Sequence, residues 1–129
     1  MLDDIQINAN ALWMRKQLGE DVFSPIDIFS ILGSINDLTL VYYPLGKRIS
    51  GMCLRDKDNK IMAINSEQTY GRQRFTAAHE LCHIYFHKEL HRVVCPAAFD
   101  EKDAAEIEAN KFASYFLAPY ESLREFLER

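Results

Sequence analysis

Apolar positions recur along the chain with two different periods. Ile5, Ala9, Leu12, Trp13 and Lys16 follow a helical spacing, with Asp3 or Asp4 placed to cap and Gly19 just past the end. They predict an opening helix from about Asp3 to Leu18 with Trp13 in its core face. Ser24-Pro25-Ile26-Asp27 supplies a Ser cap, a Pro at the first helical position and an acid in the first turn. A short helix through Ile28, Phe29, Ile31 and Leu32 to Gly33 is therefore expected.

The period then changes. Leu38–Tyr43 is β-branched and aromatic, and Pro44 and Gly46 end it; Gly51–Leu54 and Lys60–Asn65 flank the turn cluster Asp56–Asn59. These runs predict three strands, as a hairpin or a small antiparallel meander. Helical spacing returns from about Thr69 to His87 or Leu90, and a loop holding Pro96 follows. A long helix is expected from about Asp100 to Ala118-Pro119, then a short amphipathic tail helix over 120–129. The expected class is α+β, with helices packed on a small three-stranded, mainly antiparallel sheet.

Composition narrows the function. The 129 residues, 48% hydrophobic and 26% charged, make one domain that buries about two-thirds of its unfolded surface. Fifteen Lys plus Arg against 19 Asp plus Glu leave a net charge of -4, and no basic run exceeds a dipeptide, which argues against direct nucleic-acid binding. The acidic start and the lack of a continuous apolar stretch predict neither a signal peptide nor a membrane span, hence a cytoplasmic protein. Cys53, Cys82 and Cys95 form no paired spacing and are expected as buried thiols.

The four histidines stand at 79, 83, 87 and 91, all expected on one helix. His79-Glu80-Leu81-Cys82-His83 is an HExxH motif in the middle of that helix. At ~100° per residue, His79 and His83 share one face on adjacent turns and can hold one Zn²⁺. Glu80 projects beside them as general base for a zinc-activated water that attacks a peptide carbonyl.

A catalytic zinc takes a third protein ligand and leaves a fourth position open. His87 lies ~12 Å along the helix from His79, and rotation carries both His87 and His91 off the shared face, so neither is favoured. The next helix serves better. Its apolar face comprises Ala105, Ala109, Phe112, Ala113, Phe116 and Leu117, and Glu106 lies only about 60° from its centre, against about 100° for Glu108. Glu106 is the favoured third ligand, with Glu108 the alternative, and Asn110 is placed to hydrogen-bond a ligand imidazole. Cys82 shares the histidine face, where a small buried hydrophobe or a thiol near the metal would both fit. Ile61–Asn65 could pair with an extended substrate. No tyrosine among the six stands out as a transition-state donor.

Arg74 through His87, Glu106-Ile107-Glu108-Ala109-Asn110-Lys111-Phe112-Ala113 and Leu117-Ala118-Pro119, with the upstream Ile61–Asn65, resemble the signature of the ImmA/IrrE metallopeptidases. The resemblance covers about residues 38–119. It implies a zincin-like fold, a zinc site of His79, His83 and Glu106, and Glu80 as general base. It also implies cleavage of a partner repressor, usually an Xre-type helix-turn-helix regulator, in control of a mobile element, prophage or stress response. Family members usually carry Gly where this chain has Cys82, and longer members add a sensor domain. The expectation here is a single peptidase domain over 1–129 without that sensor. Two other readings share these residues: a non-catalytic repressor-binding protein with a structural zinc, and a toxin-antitoxin-like component.

Overall fold

The computed structural model describes residues 2–21, 24–97 and 103–118. In chain order these form α1 (Asp4–Gln17), α2 (Ile28–Gly33), β1 (Leu38–Tyr43), β2 (Ile49–Asp56), β3 (Asn59–Asn65), α3 (Tyr70–Phe86), β4 (Arg92–Pro96) and α4 (Ala104–Leu117). The fold is α+β, with helices on a sheet of four strands instead of three. The expected tail helix over 120–129 lies outside the described residues.

The strand order is β1-β3-β2-β4. β2 pairs antiparallel with β3 and with β4, as a mainly antiparallel sheet requires, but β1 pairs parallel with β3. A meander would place β2 beside β1. Here the β1–β2 connection crosses the end of β3, and Asn65 at that end takes up its backbone groups. Its Nδ2 donates to the Gly46 and Ile49 carbonyls (2.7 and 2.8 Å) and its Oδ1 accepts from Leu45 N–H (3.1 Å). Asn65 is fully buried, and this polar plug satisfies it. The fourth strand, Arg92–Pro96, falls where a loop was expected. Pro96 suits the end of an edge strand, where a missing N–H breaks little of the ladder.

Helix α3 lies under this sheet with α4 against its other side. Residues 76–84 are buried all the way round, the pattern of a helix enclosed by neighbours instead of one with a wet face. Gly51 permits the close approach of β2: a Cβ there would stand 2.7 Å from Thr76 Cγ2 and 2.8 Å from the Ala63 carbonyl. Small Ala109 and Ala113 do the same for α4, while Phe112 stacks on Phe116 (5.5 Å) and tilts against Phe86 (5.4 Å).

Helix α1 turns the other way from its expected stripe. Ile7, Ala11, Met14 and Arg15 are buried, whereas Ile5 is 82% and Trp13 50% exposed, Trp13 meeting Phe86 edge-on. The cause is Arg15. Its guanidinium donates to the Phe116 (2.8 Å), Leu117 (3.3 Å) and Ser24 (3.1 Å) carbonyls, closing the carbonyl end of α4. A second correction concerns α2, which begins at Ile28 with Asp27 as its cap; Ser24 and Pro25 precede it. Asp3 caps α1 in a capping box with Gln6, and Thr69 caps α3.

Candidate metal centre

Two helices and one strand deliver the site. His79, Glu80 and His83 come from the enclosed middle of α3, Glu106 from the first turn of α4, and Cys95 from β4. Asp103 caps α4 through the Ala105 and Glu106 N–H groups, fixing the helix start just where Glu106 must turn inward. Glu106 is buried at 7% exposure, so the carboxylate that the stripe left 60° off-centre lies within the packed face.

The donor atoms converge. Glu106 Oε2 lies 3.0 Å from His79 Nε2, Glu106 Oε1 lies 3.2 Å from His83 Nε2, and the two Nε2 atoms are 3.1 Å apart. Donors each ~2.0–2.1 Å from one tetrahedral zinc stand about 3.3–3.4 Å from one another, so this triangle is of cation-binding size. Cys95 completes a set of four donors that all lie within 4.8 Å of one another.

Both imidazoles present Nε2 because their other nitrogens are engaged. Asn110 Oδ1 can only accept, so His79 Nδ1–H donates to it at 2.8 Å. On the far side, His87 Nε2–H donates to Glu108 Oε2 (2.9 Å), and the remaining His87 nitrogen accepts from His83 Nδ1–H (2.9 Å). Glu108 in turn accepts from the Leu2 N–H at 2.7 Å. This is the partner pattern that orients metal-binding histidines. His87 is the residue that ends α3, outside the donor triangle, and His91 lies beyond the helix altogether, so the four histidines do not share one helix.

Electrostatics separate the two imidazoles. Burial works against charging His79, but the Glu106 carboxylate outweighs it and the pKa is raised. For His83, burial together with His79 and His87 outweighs Glu106, and the pKa is lowered. Burial would raise Glu106, yet its two imidazole partners hold it well below the usual carboxylate range. Glu80 is fully buried and neither of its oxygens has a hydrogen-bond partner in good geometry among the described residues. Burial pushes it up to about 7, only partly opposed by His79 and the nearby Cys95 and Cys53 thiols. Burial also pushes all three cysteine thiols up.

A cavity of about 360 Å³ opens onto His79, Cys95 and Glu106, walled by Arg72, Phe75 and Ile107 among others. No described tyrosine lines it; Tyr120 lies outside the described residues. Cys82 sits in the apolar core, apart from the four donors. β3, expected as a substrate-pairing strand, lies between β1 and β2 and has no free edge; among the described residues β4 has one. Cys95 was missed because only its buried character was legible, while its place depends on the pairing of Cys95 with Gly51 across the sheet.

The sequence matches a known family. The family described as the IrrE N-terminal-like domain, a peptidase family, matches over residues 36–129. The chain belongs to it. The radiation response metalloprotease IrrE of Deinococcus deserti is 35% identical over 57 residues, which is 44% of this chain and 19% of that protein. The chain is thus a member of an IrrE-like metallopeptidase family, and it matches about a fifth of that relative's length. No helix among the described residues is long and apolar enough to cross a membrane.

Proposed function

We propose that this domain is a zinc-dependent metalloendopeptidase that cleaves and inactivates a helix-turn-helix repressor of the Xre type, in control of a mobile element, prophage or stress response. His79, His83 and Glu106 hold the metal, with Asn110 and the His87–Glu108 pair orienting the two imidazoles. A zinc ion there supplies carbonyl polarisation and acidifies water. Glu80 takes the proton of the attacking water and passes it to the leaving amine. The free edge of β4 binds the substrate backbone as an added strand, which presents the scissile peptide to the cavity beside His79.

The observation that carries this reading is Glu80, whose buried carboxylate stands beside the donor triangle with neither oxygen hydrogen-bonded in good geometry among the described residues. Leaving a buried carboxylate unsatisfied costs stability, and a group kept at that cost is accounted for by proton transfer at the site. The net charge of -4 suits a domain that acts on a DNA-binding protein instead of on DNA. The test is incubation with a helix-turn-helix regulator encoded next to this chain's gene, with and without chelator, followed by mass spectrometry. The native domain is expected to yield discrete fragments that chelator suppresses. Glu80→Gln is expected to keep fold and metal while losing cleavage, and fragments from that variant would refute the mechanism.

Cys95 favours a second reading. Four protein donors around one zinc are the mark of a structural site, as in a domain that binds a repressor without cutting it. Formation of a stable complex with an uncut regulator, at full zinc loading, would favour it.

A further inference from the structure

The three-ligand reading leaves Cys95 without a role, although its thiol faces the site and is only 2% exposed. Its Sγ lies 3.4 Å from Glu106 Oε1 and within 4.8 Å of both histidine donors. In a tetrahedral zinc site, sulfur at ~2.3 Å and nitrogen at ~2.0–2.1 Å stand about 3.5 Å apart. Closure therefore asks for a shift of at most about 1.3 Å, from 4.8 Å to about 3.5 Å, and the carrier can supply it. β4 is an edge strand among the described residues, five residues long, paired in the sheet with β2, whose register shifts between Ile49 and Gly51 next to the Cys95–Gly51 pair. Cys53 and Cys82, equally buried, belong to the apolar core and do not join the donor set.

We propose that Cys95 is a displaceable fourth ligand that closes the metal site in the resting protein, so that the domain is self-inhibited until β4 moves. This rests on the metal-binding reading above and deepens it. In closing, the Cys95 S–H bond breaks and its electron pair forms the sulfur–metal bond. The proton passes to solvent in the cavity that Cys95 lines, and the solvent ligand at the fourth position leaves into the same cavity. No oxidant or reductant is needed. Opening is the reverse. It returns a proton from cavity solvent to sulfur and frees the fourth position. A substrate strand pairing with the free edge of β4 acts on the very segment that carries the thiol, which ties opening to substrate engagement.

The experiment is loading of the whole chain with Co²⁺ and reading the sulfur-to-cobalt charge-transfer absorption in the near ultraviolet. The wild-type protein is expected to bind one cobalt and show the band. Cys95→Ser and Cys95→Ala are expected to bind one cobalt without it, while Cys53→Ser and Cys82→Ser retain it. Cobalt bound by the wild type with no such band overturns the fourth-ligand proposal and leaves the three-ligand metal reading standing. No cobalt bound by the wild type overturns both. A band that survives in Cys95→Ser assigns the sulfur elsewhere and also overturns the proposal. Absence of the band from the wild type is decisive by itself, and because Cys95→Ser and Cys95→Ala are read in parallel with Cys53→Ser and Cys82→Ser, the sulfur stays assignable by elimination if one variant fails to fold.

Discussion

On one side of the Glu106 carboxylate, His79 looks into the cavity and leans on Asn110. On the other, His83 is sealed between helices and leans on His87, which leans on Glu108. The same carboxylate lies 3.0 and 3.2 Å from the two Nε2 atoms, yet it raises one imidazole and fails to raise the other. Burial opposes charge on both; Glu80 adds to Glu106 in raising His79, whereas the neighbouring imidazoles, His79 ahead of His87, add to burial in holding His83 down. Asn110 is an uncharged acceptor beside the cavity, whereas His87 brings another imidazole into a closed space. One flank opens to the cavity, and the other is closed within the packed helices.

The comparison can be broken at three points. The largest effect is expected at the shared centre. Glu106→Gln removes the one charge that serves both flanks and should weaken zinc binding by more than the about 10–100-fold typical of an orienting residue, read by competition with a chromophoric chelator. Next comes the closed flank. His87→Ala leaves His83 Nδ1–H without its acceptor in a space with little water, at about 1–3 kcal/mol of stability. It should also lower zinc affinity about 10–100-fold. Denaturant unfolding of the metal-free protein and the same competition assay measure the two separately. The smallest effect is expected on the open flank. Asn110→Ala should cost metal affinity at the low end, about tenfold, with under about 1 kcal/mol of stability, because cavity water can replace the lost acceptor. Equal stability losses for His87→Ala and Asn110→Ala would remove the distinction between the flanks.

Much of the site was legible in the sequence because its spacing is a property of the helix itself. His79 and His83 share a face wherever an α-helix contains them, and Glu106 and Asn110 share one for the same reason. The apolar stripe of α4 pointed Glu106 inward because small and aromatic residues there had to pack. Helix α1 was read with the wrong face inward, since counting apolar positions cannot weigh Arg15 against the carbonyls it closes 101 residues away. The strand at 92–96 was hidden by its length and its proline, and the place of β1 by the fact that period-two alternation names no neighbour.

The sequence by itself determined the four described helices and the first three strands, the two-histidine face with its adjacent glutamate, and the inward carboxylate of α4, because each follows from backbone periodicity within one element. Only the tertiary structure decided the strand order, the buried Arg15, the His83–His87–Glu108 chain and the arrival of Cys95 among the donors. Each of these depends on which surfaces meet across long stretches of chain. That choice is made by packing against α3 and by the need to satisfy buried polar groups, and no local period encodes it.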